Sequence, residues 1–271
     1  MRTLAFLAAL LCAGAAQAQT QCGEIRAFDP PAGGRFAASI AVPAQAPTHV
    51  LVLLPGGSGL VDLDAQGCPR ALRGNSLVRA IPRFVAGGVA TALVDAPAEW
   101  RGQHGLSTFR AETGHAEALG VLVRGLRETY RVPVWLVGTS RGAISAANAA
   151  SRLTGAAAPD GVVLTSPVSQ GARGNLPFVS QDVFLFDLAR VAVPLLALGH
   201  ARDTCVRSPP ANIPRIVDRA AASPRKRALV ITGGPGTSAS DLEACEGRSP
   251  HGFVDQEDEM TAHILGFVRG D

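Results

Sequence analysis

Residues 134–150 read VWLVGTSRGAISAANAA, and this stretch decides the fold. Val134 to Val137 is an apolar run of the kind that forms a strand buried on both faces. Gly138-Thr139-Ser140-Arg141-Gly142 follows directly and matches G-x-S-x-G. Residues 141–153, rich in alanine, then read as a helix. The five-residue pattern alone is a weak signal, because glycine and serine are frequent in this chain. Its place between a strand and a helix gives it meaning. A strand that turns straight into a helix forces its central residue into a strained backbone conformation. Glycines at 138 and 142 remove side chains that would collide there, and Ala143, Ala146 and Ala147 let the helix lie close to the sheet. The Ser140 hydroxyl is thereby presented at the carboxyl edge of the sheet, beside a helix N-terminus whose dipole favours developing negative charge.

The same alternation continues on both sides. Residues 24–42 alternate apolar and polar around Pro30-Pro31-Ala32-Gly33-Gly34, which predicts an antiparallel hairpin opening a sheet. Val50 to Leu54 is a buried strand running into Pro55-Gly56-Gly57-Ser58-Gly59. Helical spacing over 76–86 ends at Gly87-Gly88. Strands are expected at 89–94, 132–137, 162–164, 193–198 and 228–232, and helices at 112–130, 209–222 and 255–268. Strands alternating with helices imply a mainly parallel sheet covered on both faces, with right-handed crossovers. No repeat or low-complexity linker divides residues 19–271, which read as one domain.

The 271 residues suffice for one large α/β domain with a well-buried core. Hydrophobic residues are 47% and charged ones 17%, with mean hydropathy +0.20. Part of that apolar excess lies in the first segment. Arg2, the apolar run Leu4–Leu11 and the small residues of Ala16-Gln17-Ala18 predict a signal peptide, residues 1–18, cleaved after Ala18. The run is too short to span a bilayer, and no later stretch could. Export to the periplasm or outside the cell is expected. The formal charge of +3 falls to +2 without Arg2, and the arginines are scattered. Arg225-Lys226-Arg227 reads as a solvated helix or loop end. This pattern gives no footprint for a nucleic-acid partner. Without Cys12, four cysteines remain: Cys22, Cys68, Cys205 and Cys245. An even number in an exported chain predicts two disulfides, with three connectivities open. Neither CxxC nor paired-histidine spacing occurs, so no metal or cofactor is expected.

The GTSRG elbow, the LLPGGSG loop and the later acid and histidine together resemble the α/β-hydrolase family over residues 48–268. The resemblance implies the chain order nucleophile, acid, histidine. A serine hydroxyl needs a base, and the base needs a partner that fixes its tautomer. With Ser140 as nucleophile, the family places the acid after the second strand beyond the elbow, which is Asp203. Asp182 and Asp187 precede that strand, and Asp95 precedes the elbow. The histidine should follow the last strand, which selects His251 in Ser249-Pro250-His251-Gly252-Phe253. His263 lies inside a helix, His200 adjoins the acid loop, and His49, His104 and His115 come too early. The oxyanion hole is expected from the backbone N–H of Arg141 and from Gly57 or Ser58. The family often carries histidine where this chain has Pro55, so the loop must be tethered differently.

Cys205 lies two residues after Asp203, and Cys245 six before His251. A Cys205–Cys245 bridge would staple the acid loop to the histidine loop, leaving Cys22–Cys68 as the other. Residues 168–191, where the family often has a lid, are short and predict a small cap. Trp100 and Phe178 are candidate substrate-binding residues on the rim. The expected activity is ester hydrolysis through an acyl-enzyme, on a small-molecule or polymeric ester. A peptidase or amidase would use the same three residues, and a non-catalytic binding protein could share the scaffold. The sequence specifies neither the substrate nor the oligomeric state.

Overall fold

The expected strands all form, and they share one sheet. β1 (Glu24–Phe28) and β2 (Phe36–Ala41) make the antiparallel hairpin. The others are β3 (Val50–Leu54), β4 (Ala90–Val94), β5 (Val134–Thr139), β6 (Gly161–Thr165), β7 (Leu195–His200) and β8 (Lys226–Ile231). Their order is β1-β2-β4-β3-β5-β6-β7-β8. β2 meets β4 antiparallel, and all later pairings are parallel. The structure, a computed structural model, describes residues 21–32, 34–172, 177–237 and 241–271. The expected leader, residues 1–18, lies outside them. No described helix is long and apolar enough to cross a membrane.

Side-chain alternation along β3 shows how the layers are built. Val50, Val52 and Leu54 pack on one face with α2 (Thr113–Tyr130), α3 (Gly142–Arg152) and α4 (Asn212–Arg219). Leu51 and Leu53 pack on the other with α1 (Ser76–Ala86) and α6 (Glu257–Arg269). Every β3 residue is buried, as a central parallel strand requires. A short α5 (Asp241–Ala244), not anticipated from the sequence, precedes the final helix. Cys22–Cys68 ties the chain before β1 to the loop after β3.

Two expectations are corrected. The helix expected over 209–222 spans only Asn212–Arg219, because Pro209 and Pro210 form the turn before it and donate no amide. The charged run Arg225-Lys226-Arg227 is only in part a loop end: Arg225 closes the loop, and the exposed Lys226 and Arg227 open β8. An edge strand tolerates such charge, and the Arg225 guanidinium stacks 4.3 Å from the centre of the Phe267 ring.

His115 in the first turn of α2 is buried, with its ring edge-on to Phe109 at 4.9 Å. Burial, and secondarily the Arg110 guanidinium, push its pKa down to about 3. The unfolded chain binds a proton at this residue near the ordinary histidine value of about 6.5, and the native state does not. Stability therefore falls as pH drops from about 6.5 toward 3. His115→Phe is expected to weaken that dependence in urea titrations at pH 6.5 and pH 4. Equal dependence in both proteins would contradict the burial of a neutral imidazole.

Candidate active site

Parallel strands put the carboxyl ends of β3, β5, β6 and β7 on one edge, and the loops that follow them meet there. Ser140 sits at the β5–α3 turn with φ of +53°, in the left-handed region that L side chains rarely adopt. Three hydrogen bonds hold it: its amide donates to Thr165 O at 2.9 Å, and its carbonyl accepts from Ala143 N at 3.1 Å and Val168 N at 3.2 Å. A Cβ at Gly142 would run into the Leu54 carbonyl, and one at Gly56 would lie 2.8 Å from the Ser140 Cβ. The side chain of residue 140 therefore has the loop after β3 directly beside it.

Asp203 lies in the loop after β7 and is buried. One carboxylate oxygen accepts from Cys205 N at 2.9 Å, and the other from His251 Nδ1 at 2.8 Å. A carboxylate only accepts, so Nδ1 carries the proton and Nε2 is the basic nitrogen of the neutral ring. His251 is the middle residue of a one-turn 3-10 helix, Pro250–Gly252, capped by the Ser249 hydroxyl, which accepts from its amide. Its Nε2 is buried without a hydrogen-bond partner. Ser140 and His251 line one cavity of about 440 Å³, together with Gly56, Gly57, Leu72 and Asn75.

Two features hold the histidine turn. Cys205 is bonded to Cys245, and its sulfur lies within 4.8 Å of the Asp203 and His251 ligand atoms. Arg79 on α1 donates to Gly247 O and Gly252 O, each at 2.7 Å, and to Gly74 O. Its Nε pairs with Glu257 of α6 at 2.7 Å. Arg79 thus clamps both flanks of His251 against the loop before α1. Sequence reasoning missed it, because it occupies an ordinary polar-face position of a helix and its partners are distant carbonyls.

The oxyanion candidates are placed unequally. Arg141 follows Ser140 at the start of α3, where burial, and secondarily Arg207, lower its side-chain pKa to about 10. Gly57 has φ of +55°, lies on the cavity wall, and its amide bonds to no described residue. Ser58 is not on that wall among the described residues. Its hydroxyl accepts from Leu60 N and its carbonyl from Leu106 N, both loop-closing contacts.

The structure does not bring Trp100 to the cavity. Its ring stacks on Phe109 at 4.7 Å, in a small apolar cluster with Ala96 and Leu106. Phe178 falls in the one-turn helix Pro177–Ser180, and its side chain lies outside the described residues. The described residues of 168–191 otherwise form one-turn helices at Val183–Leu185 and Leu188–Arg190, whose Val183 and Leu188 pack into the α2–α3 core.

The competing acids have structural roles. Asp95 accepts from the amides of Val61, Asp62, Leu63 and Ala96 and from Arg101, which anchors the loop after β3. Asp182 and Asp187 cap 3-10 turns. His200 accepts from Arg202 N and pairs with Gln256, which supports the Asp203 loop.

No protein-family model matches the chain, and no curated protein matches it by sequence. Solved structures do match. An α/β serine hydrolase homologue from Coxiella burnetii superposes with TM-score 0.59 at 16% identity, covering 91% of this chain and 98% of that one. A lidless α/β serine hydrolase from Xanthomonas campestris gives TM-score 0.57 at 14% identity over 92% and 94% of the two chains. An esterase from Pyrococcus furiosus gives 0.60 at 15% identity over 91% of each. With the strand order, the N-terminal hairpin and the β5–α3 turn already described, these likenesses establish that the chain has the α/β-hydrolase fold.

Proposed function

We propose that this protein is a serine hydrolase that cleaves carboxylic esters, with Ser140 as nucleophile, His251 as base and Asp203 as its orienting acid. The observation that carries the reading is the 2.8 Å contact from His251 Nδ1 to Asp203, which leaves Nε2 as the basic nitrogen of a residue that lines the same cavity as Ser140. The hydroxyl of Ser140 attacks the substrate carbonyl while Nε2 takes its proton. The tetrahedral oxyanion is held by the amides of Arg141 and Gly57. As it collapses, the imidazolium protonates the departing alcohol, and an acyl-enzyme remains. Water, activated by the same imidazole, then releases the acid. No hydrogen bond joins Ser140 to His251 in this structure. Such contacts tighten when substrate is bound, and rotation about the Ser140 Cα–Cβ bond moves the hydroxyl oxygen.

The cavity is modest and partly polar, which suits a small ester or the exposed end of a polymeric one. The small cap over 168–191 adds none of its described residues to the cavity wall. The leader read from residues 1–18 and the two disulfides support an exported enzyme, since such bridges persist in oxidising compartments.

A fluorophosphonate probe is expected to label the protein and to leave Ser140→Ala unlabelled; labelling that survives the substitution removes Ser140 as nucleophile. Asp203→Asn should keep the fold and lower kcat by about 10³- to 10⁴-fold on nitrophenyl esters. Aminoacyl anilides should react far more slowly, and the opposite preference would make the enzyme an amidase. Arg79→Met strands the buried Glu257 carboxylate and is expected to cost about 3–5 kcal/mol in chemical denaturation. It should also lower kcat where the variant is still folded. An unchanged kcat would show that the histidine turn does not depend on this clamp.

A further inference from the structure

Arg110 is among the largest fully buried side chains of the protein, and among the described residues no carboxylate pairs with it. Asp95 lines the same small pocket, but its oxygens are held by backbone amides and Arg101. Burying an uncompensated guanidinium is costly, and its neutral partners repay only part of that cost. Such an arrangement calls for a role other than stability.

The partners indicate the role. Nη1 donates to the Ser145 hydroxyl at 2.9 Å, and Nη2 to the Pro55 carbonyl at 3.0 Å. Ser145 belongs to α3, the helix that begins just after the Ser140 turn. Pro55 opens the loop that carries Gly57. Pro55 has no N–H, so residue 55 is anchored through its carbonyl. The guanidinium also underlies the rest of this loop: a Cβ on Gly59 would lie 2.5 Å from Nη2. The base of Arg110 is fixed in turn by α3. Asn148, three residues after Ser145 and on the same helix face, donates to Arg110 O at 3.0 Å and Glu112 O at 2.7 Å.

We infer that Arg110 is a positioning residue that sets the spacing between the two oxyanion donors, the amides of Arg141 and Gly57. The first donor travels with α3. The second travels with the loop after β3. Arg110 bonds both elements at once and is clamped to the first. Its charge also polarises the Pro55–Gly56 peptide beside Ser140. This inference rests on the acyl-transfer reading above and extends it.

The test uses Arg110→Met, which keeps the volume and removes both donors, and Ser145→Ala, which removes one partner of the brace. Each is compared with the unaltered protein for kcat and KM on a nitrophenyl ester, with active sites counted by fluorophosphonate. Affinity for a boronic acid, which forms a tetrahedral adduct on serine, is measured alongside. A displacement of about 1 Å at the donors is expected to lower kcat per site about 100-fold in Arg110→Met, with KM within about threefold. Boronate affinity should fall in proportion to kcat/KM. Ser145→Ala should move kcat and boronate affinity the same way, by about 3- to 10-fold, and decides the matter if Arg110→Met does not fold. A merely structural residue would reduce the number of active sites and leave boronate affinity per site unchanged. That outcome overturns the inference, as does a kcat within about threefold of the unaltered protein in Arg110→Met, or an unchanged kcat in Ser145→Ala. Failure of the probe to label the unaltered protein overturns the functional reading and this inference with it.

Discussion

The turn at Ser140 is the constraint on which the rest of the site depends. β5 runs into α3 there with one residue in the left-handed region, and the approach is possible only because residues 138 and 142 carry no side chains. The alanines of α3 are buried and bring the helix down onto the sheet. This geometry aims the hydroxyl at the carboxyl edge of the strands. It also places the first turn of α3, whose dipole favours negative charge, beside the Ser140 hydroxyl. The loop after β3 then has a fixed neighbour, because Gly56 packs directly on Ser140.

The histidine is the component that the sheet positions least. It comes from the segment between β8 and α6, whose described residues form no strand, and such a segment is entropically expensive to hold in one conformation. Three ties compensate. Ser249 caps the turn that carries His251, Arg79 grips the carbonyls of Gly247 and Gly252, and Cys205–Cys245 joins the segment to the acid loop. Closing a loop of 40 residues by the bridge contributes on the order of 4 kcal/mol through the unfolded chain. The bridge therefore links the Asp203–His251 pair to the redox state of the surroundings.

Much of this was legible in the sequence, because the signals were local. Apolar runs ending in glycine gave the parallel strands, and GTSRG between a strand and a helix gave the elbow. Asp203 and His251 followed from the places after β7 and β8 that the family resemblance implies, and cysteine spacing around them favoured the pairing that the structure contains. What stayed hidden depends on distant partners. Arg79 and Arg110 are two of many scattered arginines, and nothing near either in the chain reveals the carbonyls they hold. Trp100 looked like a rim residue, yet its ring gains more by stacking on Phe109. Ser58 and Gly57 were equivalent as donors until the loop closed and turned only Gly57 toward the cavity.

The central claim is that three side chains from separate loops converge to make one hydroxyl reactive. A crystal structure of the protein after reaction with a fluorophosphonate tests it most directly. The account predicts phosphorus bonded to the Ser140 oxygen and a phosphonyl oxygen about 2.7–3.1 Å from both the Arg141 and Gly57 amides. It also predicts His251 Nε2 turned toward the adduct while Nδ1 stays on Asp203. An adduct on another residue, or an imidazole directed away from it, would contradict the account.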